Sequence, residues 1–497
     1  MRRGVAEAVV LGALLGGGAR ADSGWREIQG PHVVLRTDLG AGAAKEAALT
    51  VERFRAQIIA AAWPRATLPA SDRIGVTVFG NGLDFERHFG RNLAGVFFHD
   101  LPPFAVMYGH PETWEHRASL STPETTSILR HELVHHLAAS IYRRQPRWFS
   151  EGLAQFLETV RTGEDGKTVV VGAANLEAMR KYRAFRAVRV ADALAWSGKL
   201  DAMPEGTIHG LYGLSWVMVH WLYNEHPAQF EQLQGLLARG IDPDKAWKVI
   251  LPGLSTPDLD QALTQYIKHG NYKEYLAPFV DPAPGLQESP LSEADVHAER
   301  ARVALAAARS RTDRSSHQQE AQREVATALA LDPSNASALA LQFRLGAPRD
   351  RAAIARRLTE VQPEDGRGWL LLGEALKDTG AAAERETALR KAVALRPDDP
   401  SALNGLAWLY MQQGKASEAA PLITRAIQIA PYDPNMLDTL AAVQALLGRC
   451  SEAAASQARA IDALPDGVPS ARRRDFEGRL DRYRTGCSPA AAPAGGG

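Results

Sequence analysis

Apolar residues in the first half of the chain alternate with polar ones in short segments and elsewhere follow helical spacing. The alternation predicts strands over residues 32–36, 74–79, 96–98 and 104–108. Residues 43–62 have the pattern of an amphipathic helix, residues 123–141 form a helix that is apolar on most sides, and residues 148–158 form another amphipathic helix. A small sheet followed mostly by helices predicts an α+β domain over residues 25–276.

The second half of the chain repeats with a period of 34 residues. Three residue types keep this step: Pro363, Pro397, Pro431 and Pro465; Gly380, Gly414 and Gly448; Ala392, Ala426 and Ala460. This is the period of the tetratricopeptide repeat, a pair of antiparallel helices. Stacked repeats bury one another and leave a concave groove, which we expect to bind a protein partner or substrate. The candidates to line the groove are Arg367, Lys377, Asn404, Asn435 and Asp438.

Local differences in composition indicate where the remaining segments of the chain begin and end. Residues 1–21 have a basic start, a short apolar stretch and an Ala-Arg-Ala end, which predict a cleaved signal peptide and a periplasmic or secreted protein. Residues 277–292 are Pro-rich and predict a linker. The repeat domain with a C-terminal capping helix is expected over residues 293–486, and residues 487–497 predict a disordered tail.

Charge and cysteine content narrow the possible partners. The 57 Lys+Arg residues balance the 57 Asp+Glu residues, so no overall field favours nucleic acid or an anionic membrane. No run in the mature chain approaches the roughly 18 apolar residues of a transmembrane helix. Cys450 and Cys487 are the two cysteines of the chain. In an oxidising compartment a final helix packed on the last repeat would bring them together, which predicts a disulfide; two free thiols are the alternative.

A His-Glu-Leu-Val-His sequence at 131–135 lies within the apolar helix. Imidazoles four residues apart share one face of a helix, so His131 and His135 are placed to bind one zinc ion. The carboxylate of Glu132 is then placed to take a proton from a metal-bound water. A buried helix cannot leave these side chains without partners, and core histidines satisfied by hydrogen bonds are the alternative.

Glu151 is a candidate for the third ligand. It follows His135 by sixteen residues, and a turn near residues 145–147 would bring the two helices together antiparallel. Two imidazoles, one carboxylate and an open position for water form a catalytic zinc site rather than a closed structural one. The alternative is a solvated helical carboxylate.

The motif at 131–135, followed by Trp148, Glu151, Gly152 and Ala154, resembles the gluzincin branch of the zinc metallopeptidases. It is similar in particular to bacterial peptidase MA-like domains that carry C-terminal tetratricopeptide repeats. The resemblance implies a zincin-like α+β fold and one zinc ion per chain. It also implies that the two histidines and Glu151 are the ligands and that Glu132 is the general base.

The resemblance implies two further residue roles. Thermolysin-like gluzincins place an aspartate four residues after the ligand glutamate, where it orients a ligand histidine; here Gln155 stands at that position and is expected to accept from an imidazole N–H. In related domains a later helix supplies a hydrogen-bond donor to the oxyanion. Tyr212 is the candidate donor here and His209 the alternative, while a buried tyrosine bonded to a backbone carbonyl is the other interpretation of Tyr212. His220 is expected to be a core histidine.

These observations predict an exported zinc-dependent peptidase whose repeats bind a protein. Two other functions stay open: a non-catalytic exported scaffold assembled through its repeats, and a zinc hydrolase of a non-peptide amide. The strand at residues 104–108 is the candidate sheet edge for pairing with an extended peptide, and an ordinary interior strand is the alternative.

Overall fold

The computed structural model describes residues 24–66, 68, 73–90, 95–98, 104–111, 114, 125–142, 144–196, 203–270, 272–310, 314–464 and 468–486. The predicted signal peptide and C-terminal tail lie outside these residues, as do Pro465 and Cys487. No helix in the described part of the chain has the length and apolar content needed to span a membrane.

A six-stranded mixed sheet forms the first layer of the N-terminal domain. Its strands are β1 (Arg26–Gln29), β2 (Val33–Thr37), β3 (Ile74–Phe79), β4 (Gly95–Phe98), β5 (Phe104–Tyr108) and β9 (Gln287–Pro290), in the order β4-β5-β3-β2-β1-β9. Strands β2, β3 and β5 run parallel, while β1, β4 and β9 are antiparallel to their neighbours. The predicted strands are therefore present, and the sheet gains a strand from much later in the chain.

Two predictions about this sheet are wrong. The strand at residues 104–108 is not the edge, because β5 lies between β4 and β3, and β4 is the edge strand. Residues 277–292 are not a free linker, because β9 pairs with β1 and the start of the segment belongs to β8 (Tyr275–Pro278). Strand β8 pairs with β7 (Thr168–Val171), which also pairs with β6 (Arg161–Thr162) in a second, small sheet.

Helices cover both faces of the large sheet. On one face α1 (Ala41–Ala62) buries Val51, Phe54 and Ile58 in the main core. The other face packs against α2 (Gly82–Phe89) and against α11 (Glu293–Ser310), which contributes Val303 and Ala307 to an aromatic cluster. The first helix of the C-terminal half is thus part of the N-terminal domain's core.

The remaining N-terminal elements are helical and follow the sheet. They are α3 (Thr125–Ile141), α4 (Arg147–Leu157), α5 (Leu176–Ala184), α6 (Val190–Leu194), α7 (Glu205–Glu225), α8 (Pro227–Ala238), α9 (Pro243–Ile250) and α10 (Thr256–His269). Helix α7 is buried along most of its length, which explains its apolar sequence from Leu211 to Leu222. It forms the centre of this helical layer.

The C-terminal half is an all-helical array of antiparallel pairs. After α11 come α12 (Arg314–Leu331), α13 (Ala336–Leu345), α14 (Arg351–Val361), α15 (Gly366–Ala375), α16 (Ala382–Leu395), α17 (Pro400–Gln412), α18 (Ala416–Ile429), α19 (Pro434–Leu446), α20 (Cys450–Asp462) and α21 (Ser470–Thr485).

The 34-residue period has a local physical cause. Gly380, Gly414 and Gly448 follow α15, α17 and α19 with φ between 74° and 76°, a left-handed conformation that ends a helix and favours glycine. At the other end of each pair, Asp365, Asp399 and Asp433 accept backbone N–H groups at the start of the same three helices. The repeated alanines at 392, 426 and 460 are fully buried between helices.

A buried ion cluster joins α11 to the sheet. Glu299 on α11 accepts from Arg302 at 2.6 Å, from Arg36 on β2 at 3.2 Å and from the Thr77 hydroxyl on β3. Burial acts to raise the pKa of Glu299, but the two guanidinium groups outweigh it and lower this pKa to about 2. The cluster fixes the start of the repeat array on the N-terminal sheet.

Candidate metal centre

Helices α3 and α4 bring the predicted ligands together because their apolar sides pack into one core. Helix α4 also lies against α7 without a gap: a Cβ added at Gly152 would lie 2.3 Å from the backbone oxygen of Ser215. Glycine at position 152 therefore permits the close approach that carries α7 to the polar face of α4. The buried apolar residues of α3 and α4 are Leu129, Leu133, Val134, Leu137, Ala138, Trp148, Phe149, Leu153, Phe156 and Leu157.

Three side chains form a compact triangle. The Nε2 atoms of His131 and His135 are 3.1 Å apart, and each lies 3.4 Å from Oε2 of Glu151. Ligands about 2.0–2.1 Å from a tetrahedral zinc lie roughly 3.3–3.4 Å from one another. The triangle therefore has the size that a single zinc ion requires, and these three residues are the one group of this kind among the described residues.

The chemistry of the three donors also fits a metal. Oε2 of Glu151 is buried, and the ring nitrogens nearest to it, Nε2 of His131 and of His135, lie 3.4 Å away, too far for a well-formed hydrogen bond. A buried carboxylate oxygen with such long contacts is poorly compensated, and a cation at the centre of the triangle would compensate it. Two imidazoles and one carboxylate are a common ligand set of catalytic zinc sites.

Side chains behind the triangle orient both histidines. His131 Nδ1 lies 2.8 Å from Oε2 of Glu158, and because a carboxylate only accepts, the imidazole donates from Nδ1 and keeps the Nε2 lone pair for a metal. Asn175 in turn donates to Oε1 of Glu158 at 2.7 Å. His135 Nδ1 lies 3.0 Å from the hydroxyl oxygen of Ser150, a contact that orients the ring with its Nε2 toward the triangle.

The structure does not place Gln155 in the orienting role expected for it. Its amide donates to the backbone oxygens of Tyr212 at 3.0 Å and Glu151 at 3.3 Å, so it joins α4 to α7. Glu158 has the orienting position instead. It lies seven residues after Glu151, nearly two full turns, and so projects in almost the same direction from α4. Glu151, Gln155 and Glu158 share the polar face of the amphipathic helix predicted over residues 148–158, and this pattern is the sequence signal that identifies Glu158 as a candidate.

The charges of the site are strongly coupled. Burial acts to lower the pKa of His131, but the interactions with Glu151 and Glu158 outweigh it and raise this pKa to about 10. Burial acts to raise the pKa of Glu151, and the two imidazoles outweigh it and hold this pKa far below its usual range. Without a metal, His131 is therefore protonated, and a bound cation would displace the proton on its Nε2.

Glu132 and Tyr212 lie beside the triangle. Burial raises the pKa of Glu132. The charges of both histidines act to lower this pKa, and the charge of Glu151 acts to raise it. Burial and the charge of the Glu151 carboxylate raise the pKa of Tyr212 well above its usual value, so the hydroxyl stays protonated. The Tyr212 ring packs edge-on against Trp196, with ring centres 5.6 Å apart. A buried carboxyl group and a protonated phenol thus lie near the Glu151 carboxylate.

The two other histidines considered from the sequence lie elsewhere. His209 is half-buried, pairs with Glu205 at 3.4 Å and stacks on Phe185. His220 is fully buried and has hydrogen-bond partners on both ring nitrogens, the Tyr266 hydroxyl at 2.5 Å and the Gly172 carbonyl at 3.0 Å. Burial lowers the pKa of His220 to about 4, so it is a neutral core histidine, as predicted.

Several predicted groove residues have partners within the repeats. Arg367 pairs with Asp365, the cap of its own helix, at 2.8 Å. Asn435 and Asp438 are covered by α21, because Arg472 donates to Asn435 at 2.5 Å and Arg479 to Asp438 at 2.6 Å. The capping helix therefore occupies the position expected for a partner at the last repeat.

The middle repeats retain unsatisfied polar atoms. Oδ1 of Asn404 and Nε1 of Trp408, four residues later on α17, are buried and have no hydrogen-bond partner among the described residues. Lys377 is half-buried after α15.

Cys450 is the first residue of α20, and no cysteine in the described part of the chain is free. Cys487 lies outside that part, so its pairing with Cys450 stays a prediction.

Two sequence families match separate parts of the chain. A family described as "Protein of unknown function (DUF1570)" matches residues 125–240, which include all three members of the triangle. A tetratricopeptide repeat family matches residues 349–459. The C-terminal half is thus a tetratricopeptide-repeat array, as predicted, and such repeats indicate binding of a protein partner. No curated protein matches the chain.

Several solved structures, one of them described as a tetratricopeptide-repeat protein, are similar to part of the chain. A MamA protein shares 17% identity, covers 34% of this chain and 91% of its own, and has a TM-score of 0.29. A thermophilic tetratricopeptide-repeat protein from Thermus thermophilus shares 18% identity over 38% of this chain and 99% of its own, with a TM-score of 0.29. PilW, a type IV pilus biogenesis factor, shares 17% identity, covers 38% of this chain and 86% of its own, and has a TM-score of 0.33.

Proposed function

We propose that the protein is an exported, zinc-dependent peptidase with a zincin-like N-terminal domain, whose repeats bind a protein partner or substrate. The triangle of His131, His135 and Glu151 carries this proposal, because its dimensions match a tetrahedral zinc and its carboxylate oxygen has only long contacts, at 3.4 Å, with the two imidazoles. The family matches support the repeats' binding role, and the geometry of the site alone supports catalysis.

The residues around the triangle are suited to hydrolysis of an amide. A bound zinc would polarise the substrate carbonyl and lower the pKa of a bound water. Glu132 would take the proton of the attacking water and pass it to the leaving amine. The raised pKa of Glu132 suits this exchange, because a carboxyl group closer to neutral pH both accepts and returns a proton. Tyr212 would donate its hydroxyl proton to the developing oxyanion.

The edge of the large sheet is a candidate surface for the substrate. Strand β4 pairs with β5 on one side and packs against α3, the helix that carries both histidines. Its other side has no partner strand among the described residues. An extended peptide added there would run beside the ligand helix, so β4 replaces β5 as the proposed edge for peptide pairing.

A non-catalytic scaffold is the second candidate. It is favoured by the tetratricopeptide-repeat match, because binding is the role with which the matched part of the chain is associated. In that case the zinc would be structural or absent, and Glu132 would have no role in turnover. The two candidates differ in one measurable property, the role of Glu132. The peptidase requires Glu132 for cleavage but not for metal binding, whereas the scaffold requires it for neither.

Metal content and peptide cleavage of matched variants decide between them. The mature protein should hold about one zinc per chain by elemental analysis. His131→Ala should lose the metal, whereas Glu132→Gln should keep it and lose cleavage of a peptide library, because the base is not a ligand. Wild-type protein that binds zinc but cleaves nothing in the library supports the scaffold, and Glu132→Gln protein without metal contradicts the assigned roles.

A further inference from the structure

The repeat array contacts the N-terminal domain at a second place, far along the chain from the ion cluster of α11. Arg144 Nη1 donates to Oδ2 of Asp462, the last residue of α20, at 2.6 Å. The hydroxyl of Tyr432, between α18 and α19, donates to the backbone oxygen of Arg239 at 2.8 Å. We call these residues together with Gly240 the end-repeat interface.

The contact at Gly240 is close and specific in shape. Gly240 follows α8 with φ of +73°, and its N–H bonds to the Leu237 carbonyl, as in a helix-ending left-handed residue. A Cβ at this position would lie 2.0 Å from the Tyr432 ring. The tyrosine therefore lies directly on the backbone at the end of α8, where no other residue type fits without displacing it.

The end-repeat interface adjoins the connection between the two ligand helices. Arg144 lies between α3, which carries both histidines, and α4, which carries Glu151. Its backbone N–H donates to the Leu237 carbonyl at 3.3 Å, and its guanidinium also lies 3.4 Å from Asp242, the cap of α9. The same side chain thus contacts the end of α20 and the start of α9, while its backbone is bonded to α8.

A neighbouring residue in the connection is fixed as well. The Tyr142 hydroxyl donates to Gln234 on α8 at 2.5 Å and accepts from the Trp63 indole at 2.8 Å. The end of α8 is therefore the support on which the connection between α3 and α4 rests, and Tyr432 covers that end. A shift at the end of α8 would therefore act directly on the connection between α3 and α4.

We propose that Tyr432 and Asp462 are positioning residues of the metal centre: by holding Arg144 and the end of α8, the last repeats fix the relative placement of α3 and α4. The proposal rests on the proposed metal site. Two consequences follow from the linkage of equilibria. A change in the curvature of the repeats on partner binding changes metal affinity, and metal binding changes partner affinity by the same factor.

The chain offers a matched control. Asp398 pairs with Arg425 at 2.5 Å entirely within the repeats, and the Asp398 and Asp462 side chains are 74% and 63% exposed. Asp398→Asn and Asp462→Asn therefore remove equivalent exposed ion pairs, one of which reaches the N-terminal domain. Tyr432→Ala removes the contact with Gly240, and Tyr432→Phe keeps the ring while removing the hydroxyl.

The test uses the full chain with zinc or cobalt as the probe. In the Asp462→Asn/Tyr432→Ala variant, zinc affinity measured against a chelator should fall roughly fivefold to tenfold. The visible absorption spectrum of the Co²⁺-substituted variant should also change, because ligand angles change. Asp398→Asn should leave affinity and spectrum as in the wild type, and Asp462→Glu with Tyr432→Phe should restore most of the affinity.

Hydrogen exchange tests the positioning role independently of the proposed function on which it rests. In metal-free protein the amides of Arg144 and Gln145 should exchange faster in the double variant than in Asp398→Asn. If wild-type protein binds no metal, the proposed function fails, and the exchange result still reports whether the end-repeat interface supports the connection. If wild-type protein binds zinc and the double variant matches it in affinity, spectrum and exchange, the positioning role is refuted.

Discussion

Replacing Glu158 by glutamine tests which residue orients a ligand histidine. The structure assigns this role to Glu158, whereas the sequence predicted Gln155. The carboxylate accepts from His131 at 2.8 Å and is itself held by Asn175 at 2.7 Å, with only 15% of the side chain exposed. Glu158→Gln keeps the size of the side chain and removes its charge. Loss of such an outer partner typically lowers metal affinity about 10- to 100-fold. Each tenfold step is about 1.4 kcal/mol, so the expected loss is about 1.4–2.8 kcal/mol.

The control for this prediction is Gln155→Met, which removes the amide at the position first expected to orient a histidine. Because Gln155 bonds backbone carbonyls rather than an imidazole, we expect its loss to leave zinc affinity within about threefold of wild type. Chelator competition at fixed pH measures both variants, and thermal unfolding identifies any general loss of stability. A larger loss of affinity in Gln155→Met than in Glu158→Gln would refute the assignment.

Three further predictions concern other residues of the site and the array. Tyr212→Phe should lower kcat about 100-fold with KM and melting temperature nearly unchanged; lost stability with normal turnover would make Tyr212 a packing residue. His131 has a folded-state pKa of about 10 against an ordinary 6.5, so in metal-free protein it should contribute stability below pH 6.5 that is lost as pH rises to 10. Unfolding free energies measured from pH 6 to 10 test this, and a flat profile that matches His131→Ala would contradict it. Mass spectrometry of unreduced, alkylated protein should yield a linked peptide pair containing Cys450 and Cys487, whereas two alkylated cysteines would exclude the disulfide.

Local patterns in the sequence predicted the parts of the site that lie on single helices. The spacing of His131 and His135 depends only on helix geometry, and the position of Glu151 depends on one turn between neighbouring helices. The 34-residue period likewise follows from glycine and aspartate at fixed places in every repeat. In these cases the residues that interact are close in sequence or repeat at a constant step.

Features that depend on distant segments could not be predicted in this way. Strand order placed β4 at the edge, and no property of residues 95–98 or 104–108 alone distinguishes an edge strand from its neighbour. The pairing of β9 with β1 joins residues about 260 positions apart, as the contact of Arg26 with Glu288 shows. The exchange of roles between Gln155 and Glu158 depends on how α3 crosses α4, which the sequence of α4 does not contain.

The pairing of β9 with β1 has a consequence for the order in which the molecule folds. Until residue 290 has been synthesised, β1 lacks its outer neighbour, and until α11 follows, the aromatic face around Trp25, Phe85 and Val106 stays uncovered. At about 5–20 residues per second, ribosomal synthesis of the intervening segment takes on the order of tens of seconds. During that interval the nascent chain exposes an apolar surface and an open strand. The N-terminal half is therefore a poor independent folding unit, and a fragment ending near residue 276 should aggregate rather than form a soluble domain.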